Sequence, residues 1–209
     1  PYRHHLSAHW NNQWLFGGQD WATHGILQTH IGDVGIGGLN QNVFDLRGRH
    51  GISFINAEYG YEKRQRQKTP NSPENVLKAH WAIVLGGGYA DYGHSPSRLV
   101  GKYMWAGTDT FWTEQGKPAT GPASVADVAA GQEAAPWLRV MRDWMNSGLV
   151  GYWAMRPSNE LASGSAPNVF CLAAPGSEYL CSGENGTVRI DLSAAKGRDL
   201  PVEEFDPKT

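Results

Sequence analysis

The chain has 209 residues and carries 18 Lys and Arg against 20 Asp and Glu, a formal net charge of −2. This balance gives no electrostatic reason to expect nucleic acid or an anionic membrane as partner, and no apolar run is long enough to span a bilayer as a helix. Nine Trp, eight Tyr, six Phe and 26 Gly favour a loop-rich protein with flat faces for ligand stacking over a helical bundle, although aromatic rings also fill ordinary cores.

The chain opens on Pro1 with no signal-peptide pattern, and it reads as a piece of a longer polypeptide. Residues 2–9 suit a short strand that runs into a polar loop. His5 and His9 have helical i, i+4 spacing, and with His4 they raise a metallohydrolase reading. No Glu completes an H-E-x-x-H pattern, so the preferred reading has no metal and at least one of these histidines facing a cleft as a hydrogen-bonding group. Residues 20–30 (DWATHGILQTH) predict a short helix with Trp21, Ile26 and Leu27 inward. The glycine-rich IGDVGIGG at 31–38 is read as a loop, since no strand leads in and no G-x-G-x-x-G is present. Residues 40–47 predict a short helix with Asn40 as N-cap.

Residues 52–62, ISFINAEYGYE, begin as an apolar run and end abruptly in carboxylates and tyrosines. Such a run reads as a buried parallel strand whose C-terminal end opens into a site. In a (β/α)8 barrel, catalytic groups stand at those ends. A Glu flanked by Asn and aromatics suits glycoside hydrolysis, where a carboxylate faces a sugar ring and aromatics stack against it. Glu58 could instead pair with Lys63, Arg64 or Arg66, and spacing alone leaves both readings open.

Residues 63–72 form an exposed loop. Ser72-Pro73-Glu74 then marks a helix start, and that helix runs to about Leu85 before the glycines at 86–88. YADYGHSP at 89–96 is a second short strand with a polar, aromatic end. A strand, a helix and another strand make the barrel repeat. Residues 102–132 form a long loop whose Tyr103, Trp105, Phe111 and Trp112 suit a substrate-facing role. A last helix covers about 134–146 and is capped by Gly148. After Pro157, strand candidates at 169–172, 179–181, 188–192 and 202–205 predict a small antiparallel β domain. Cys171 and Cys181 would face each other across a hairpin, within reach of a disulfide. Asn185-Gly186-Thr187 fits a glycosylation sequon, but its Asn-Gly is preferred as a hairpin turn.

Taken together, INAEYGYE, the helix after it and GGGYADYGH resemble the late barrel strands of the apiosidase-like glycoside hydrolases. RHHLSAH resembles the strand before them, and the tail from Pro157 to FDPKT resembles the small β-sandwich, sometimes labelled collagen-binding, that follows such barrels. The resemblance implies the C-terminal portion of a (β/α)8 barrel over residues 1–157 and a small antiparallel β-sandwich over 158–209. It implies a retaining mechanism with Glu58 as nucleophile and Glu62 orienting a loop or a positive partner. His5, His9, Tyr59, Tyr61, Glu62, Asp91, Tyr92, His94 and Trp105 are the expected substrate-binding residues. The acid/base would come from an earlier strand outside this chain, with Asp91 the one candidate at a neighbouring strand end. A whole barrel takes about 250 residues, so residues 1–157 supply only the last three or four βα units. No cofactor is called for. The expected partners are a carbohydrate substrate and the missing N-terminal half of the barrel, and a polysaccharide substrate implies secretion or a periplasmic location. A different class, a non-catalytic carbohydrate- or matrix-binding protein, would use the same aromatics as a stacking platform.

Overall fold

A computed structural model describes residues 5–10, 14–16, 18–62, 71–91, 93–94, 103–104, 111–112, 133–148 and 151–208 of the chain. In chain order the first elements are β1 (His9–Trp10), β2 (His24–Leu27), α1 (Ile31–His50), β3 (Ser53–Asn56), β4 (Tyr61–Glu62), α2 (Pro73–Leu85), β5 (Tyr89–Ala90) and β6 (Gly93–His94). Strands β1, β2, β3 and β5 lie side by side in that order, and every pair is parallel. Helix α1 connects β2 to β3, and α2 lies between β3 and β5, as parallel pairing requires a crossover between strands. Beyond the sheet, β4 and β6 resume the same parallel pairing, with Tyr61 opposite Gly93 and Glu62 opposite His94.

The expected helix over 20–30 is replaced by strand β2. Its run Gly25-Ile26-Leu27 is too short for periodicity to tell a strand from a buried helical turn, and pairing on both sides decides the matter. Gly25 is needed there: a Cβ would come within 2.3 Å of the Phe54 ring on β3. The glycine-rich segment is not a loop but the start of α1. His30 is its N-cap, accepting from the Gly32 N–H at 3.1 Å, and the helix breaks at Gly35, whose φ of 69° lies in the left-handed region. Asn40 therefore sits inside a helix rather than capping one. Its buried amide donates to the Ala82 carbonyl of α2 at 2.8 Å and fixes the packing of α1 on α2. Leu39, Val43 and Leu46 of α1 meet Val76, Ala79, Ile83 and the strand residues Leu27 and Phe54 in one core. Helix α2 begins as expected, with the Ser72 hydroxyl accepting from the Asn75 N–H and Pro73 in the first turn.

The short pair β7 (Tyr103–Met104) and β8 (Phe111–Trp112) is antiparallel. Helix α3 (Ala134–Gly148) packs against α2. The rest of the chain forms antiparallel sheets from β9 (Arg156–Pro157), β10 (Ala162–Gly164), β11 (Phe170–Ala174), β12 (Glu178–Ser182) and β13 (Val188–Ile190). One sheet has the order β12-β11-β9 and the other pairs β10 with β13. Cys171 and Cys181 stand opposite each other on β11 and β12 and are disulfide-bonded.

Residues 202–205 are not the expected strand. They cross the helices instead: Phe205 stacks on Trp144 of α3 with ring centroids 4.2 Å apart, and Glu203 accepts from the Trp144 indole N–H at 2.8 Å. A polar chain joins the β sheets to the helices as well. The Asn159 side chain donates to Asn40 Oδ1 at 2.8 Å while accepting from the Cys171 N–H at 2.9 Å, and Lys78 pairs with Glu184 at 2.7 Å.

Candidate active site at the strand ends

The four parallel strands point their C-terminal ends the same way, and each is followed by polar residues. Gln28, Thr29 and His30 follow β2, Glu58 follows β3 after Ala57, and Asp91 follows β5. Backbone hydrogen bonds carry the pairing past the strands proper. The Ala57 N–H donates to the Leu27 carbonyl at 2.9 Å, the Asp91 N–H to the Asn56 carbonyl at 3.0 Å, and the Ile31 N–H to the Tyr59 carbonyl at 2.7 Å.

Glu58 is half-buried on this edge. Gln28 Nε2 donates to its Oε1 at 2.6 Å, and the Glu58 N–H donates to Asn56 Oδ1 at 3.3 Å. Asn56 is fully buried and donates in turn to the Thr29 carbonyl at 2.8 Å, while the buried Thr29 hydroxyl donates to Asn42 Oδ1 at 2.9 Å. The carboxylate thus rests on a connected polar shelf built from two neighbouring strand ends, the kind of support that fixes a reactive group's rotamer. Gln28 and Asn56 had no assigned role in the sequence reading. The signal for Gln28 was present, since GIL followed by QTH repeats the pattern of an apolar run ending in polar groups.

The other expected site residues divide. Asp91 is exposed at the adjacent strand end, and Tyr61 is half-buried on β4. Tyr59 is 0 % exposed; its hydroxyl meets His80 Nδ1 of α2 at 3.1 Å, so it serves the core rather than the edge where Glu58 stands. Burial pushes the Tyr59 phenol well above its ordinary range, helped by the Asp91 and Glu62 carboxylates, and burial lowers the His80 imidazole to about 4. Glu62 is also 0 % exposed. Its two carboxylate oxygens accept from the Glu133 and Ala134 N–H groups at 2.9 and 3.0 Å, so it caps the start of α3. Against the expectation that Glu62 binds substrate and orients a loop or a positive partner, it is buried against the first turn of α3 and away from the edge where Glu58 stands.

His9 is exposed on β1, opposite Ile26. His5 lies against His24, with ring centroids 6.1 Å apart. His24 is the first residue of β2, so His5 is at the opposite end of the sheet from Glu58 and the structure does not bring the two together. His94 pairs through its backbone with Glu62 in the β4–β6 extension. Tyr92 and Trp105 lie outside the described residues, as does His4 of the metal reading. Among the described residues no three His, Cys, Asp or Glu side chains gather to hold a metal ion. Among them, too, no helix is long and apolar enough to cross a membrane.

This fold recurs in glycoside hydrolases. The chain superposes on a glycoside hydrolase family 5 structure from Bacteroides vulgatus ATCC 8482 with a TM-score of 0.60 at 11% identity, covering 82% of this chain and 41% of that one. A second structure, described as a glycoside hydrolase, gives a TM-score of 0.57 at 13% identity and covers 82% of this chain and 42% of the other. The chain therefore spans about two-fifths of the length of either, and the likeness is one of fold. No family model matches the sequence, and no curated protein matches it.

Proposed function

We propose that the chain is the C-terminal portion of a (β/α)8 barrel of a retaining, apiosidase-like glycoside hydrolase, with residues 158–209 as a small β-sandwich behind it. The observation that carries this reading is the position of Glu58. It stands just past the end of a central strand, between the strand ends that bear Gln28 and Asp91, and is held by a side chain from the neighbouring strand.

In this mechanism Glu58 attacks the anomeric carbon and forms a covalent glycosyl-enzyme as the bond to the leaving oxygen breaks. An acid/base carboxyl, about 5–5.5 Å from the nucleophile, protonates that oxygen and then deprotonates the water that releases the sugar. That second carboxyl is assigned to a barrel segment outside this chain. The Gln28 amide keeps Glu58 turned toward the substrate, and Asp91 and Tyr61 would contact the sugar from the adjoining strands. The substrate is a plant or microbial polysaccharide met outside the cytoplasm.

In the complete polypeptide, Glu58→Gln should abolish turnover while sugar binding persists. A wild-type rate from that variant would overturn the assignment. The 209 residues alone should be inactive and poorly soluble unless they pair with a second chain, because the edge strands of an open parallel sheet are left bare. An active, soluble monomer made only of these residues would overturn the partial-barrel reading.

A further inference from the structure

At the opposite end of the strands from Glu58, two adjoining hollows of about 620 and 110 Å³ share Arg47, Trp153 and Met155 as walls. The larger lies against the last turn of α1, beside Phe44 and Arg156; the smaller lies beside Ser53 and Tyr89, the first residues of β3 and β5. The larger has the size of an ordinary ligand pocket, roughly 300–1,000 Å³.

Two aromatic rings are displayed there, Trp153 on the turn before β9 and Tyr89 on the edge strand β5. Trp153 is 80% exposed and Tyr89 51% exposed, although rings of this size are normally buried. Two guanidinium groups accompany them. Arg47 spends one donor on the Gly87 carbonyl and makes no other hydrogen bond among the described residues. Arg156 is exposed on β9, with no carboxylate partner among the described residues. Among the described residues, no Asp or Glu lines either hollow. Charge and shape thus ask for a ligand with a flat apolar face and an anionic group that a planar guanidinium can bind.

We infer that this hollow is a second, non-catalytic binding site for an acidic sugar chain, in which Trp153 and Tyr89 stack on pyranose faces and Arg47 and Arg156 bind the uronate carboxylates. The choice of a sugar as ligand rests on the glycoside hydrolase reading; the aromatic and cationic composition of the site does not. Ser53 precedes Glu58 by five residues, about 16 Å of extended chain, while Tyr89 pairs with Ile55 nearer the middle of β3. A chain running from Tyr89 past Trp153 to Arg156 would lead away from Glu58 and hold the enzyme on its polymer without entering the reaction.

The test is equilibrium binding of tetragalacturonate, with cellotetraose as neutral control, followed by tryptophan fluorescence at low and high salt. The proteins are the wild type, Trp153→Ala, Arg156→Gln and Glu58→Gln. Wild type and Glu58→Gln should bind tetragalacturonate alike. Trp153→Ala and Arg156→Gln should each weaken binding by about tenfold or more, and salt should erode it. Both substituted side chains are exposed, so circular dichroism should show an unchanged fold. Undetectable tetragalacturonate binding, equal affinity for cellotetraose, or wild-type affinity in Trp153→Ala would each overturn the site. Because Glu58→Gln keeps sugar binding in the catalytic reading too, Trp153→Ala and Arg156→Gln, which leave the strand-end cleft untouched, tell the two sites apart: wild-type affinity in both would place the ligand elsewhere. Turnover by Glu58→Gln in the complete polypeptide is judged separately, so the catalytic reading can fail while the binding result stands.

Discussion

Gln28 Nε2 lies 2.6 Å from Glu58 Oε1, a charge-assisted hydrogen bond between the ends of two adjacent parallel strands. It fixes one oxygen of the carboxylate, and among the described residues the other accepts no hydrogen bond. Gln28→Ala removes that hold without touching the polar shelf beneath. Under the proposed mechanism, kcat of the complete polypeptide should fall by about 10- to 100-fold with KM little changed, the pattern expected when a reactive group loses its positioning. Gln28→Glu should cost more, since a second carboxylate would repel the first. A rise in KM at constant kcat would instead mean that Gln28 binds substrate.

Glu62 gives a structural prediction. A fully buried carboxylate that accepts from two N–H groups at the start of α3 is worth more than an exposed cap, because its removal takes the acceptor from the buried Ala134 N–H and the partly buried Glu133 N–H. Glu62→Ala should lower stability by about 2–4 kcal/mol, and Glu62→Gln, which keeps one acceptor, by less. Urea unfolding of the two variants measures the order. Equal and small losses would mean that the helix start is satisfied by other groups.

The two glutamates of one motif show what the sequence could and could not convey. In ISFINAEYGYE the strand and the strand-end position of Glu58 were legible, because an apolar run followed by polar residues has a direct meaning in a parallel sheet. Nothing in the motif said that Glu62 and Tyr59 turn inward, since that depends on α3 arriving some seventy residues later and on His80 of α2. The same limit explains β2 and the start of α1. Residues 20–30 read as a short helix and residues 31–38 as a loop, because the features that overrule propensity, the Phe54 ring above Gly25 and the burial of Leu39 and Val43, are long-range contacts. The Ser72 cap and the Cys171–Cys181 pairing were legible because both are local.

His80 makes stability depend on pH. Its folded pKa is about 4, below the ordinary 6.5, because burial disfavours the charged ring. Between these values the unfolded chain binds a proton that the folded chain does not, so stability rises with pH across this window. The contribution is complete above pH 6.5 and is lost as pH falls toward 4, amounting to about 3 kcal/mol. His80→Gln keeps a partner for the Tyr59 hydroxyl but cannot titrate. Urea midpoints for wild type should drop across this window, and those for His80→Gln should stay flatter. Parallel curves for the two proteins would assign the acid sensitivity to another group.

The end of the chain makes the last prediction. Phe205 and Trp144 stack with their planes nearly parallel, 8° apart, and Trp81 of α2 meets both edge-on at 6.3 and 6.4 Å. Lys208 stands over the Trp137 ring at 5.7 Å, so the tail contacts α3 along two turns. This arrangement joins the far end of the β region to the helices that back the parallel sheet. Loss of a half-buried aromatic ring with its stacking partner costs about 1–3 kcal/mol. Phe205→Ala should lower the urea midpoint by that amount, while Lys208→Ala, an exposed cation over a ring, should change it by less than about 1 kcal/mol. The disulfide between β11 and β12 should survive in Phe205→Ala, because it lies within the hairpin and does not depend on the tail. Were Phe205→Ala as stable as wild type, the tail would lie on the helices without holding them, and the link between the two regions would rest on the core shared by Met155, Phe170, Leu172 and Leu180 with the helices, together with Asn40, Asn159 and the Lys78–Glu184 pair.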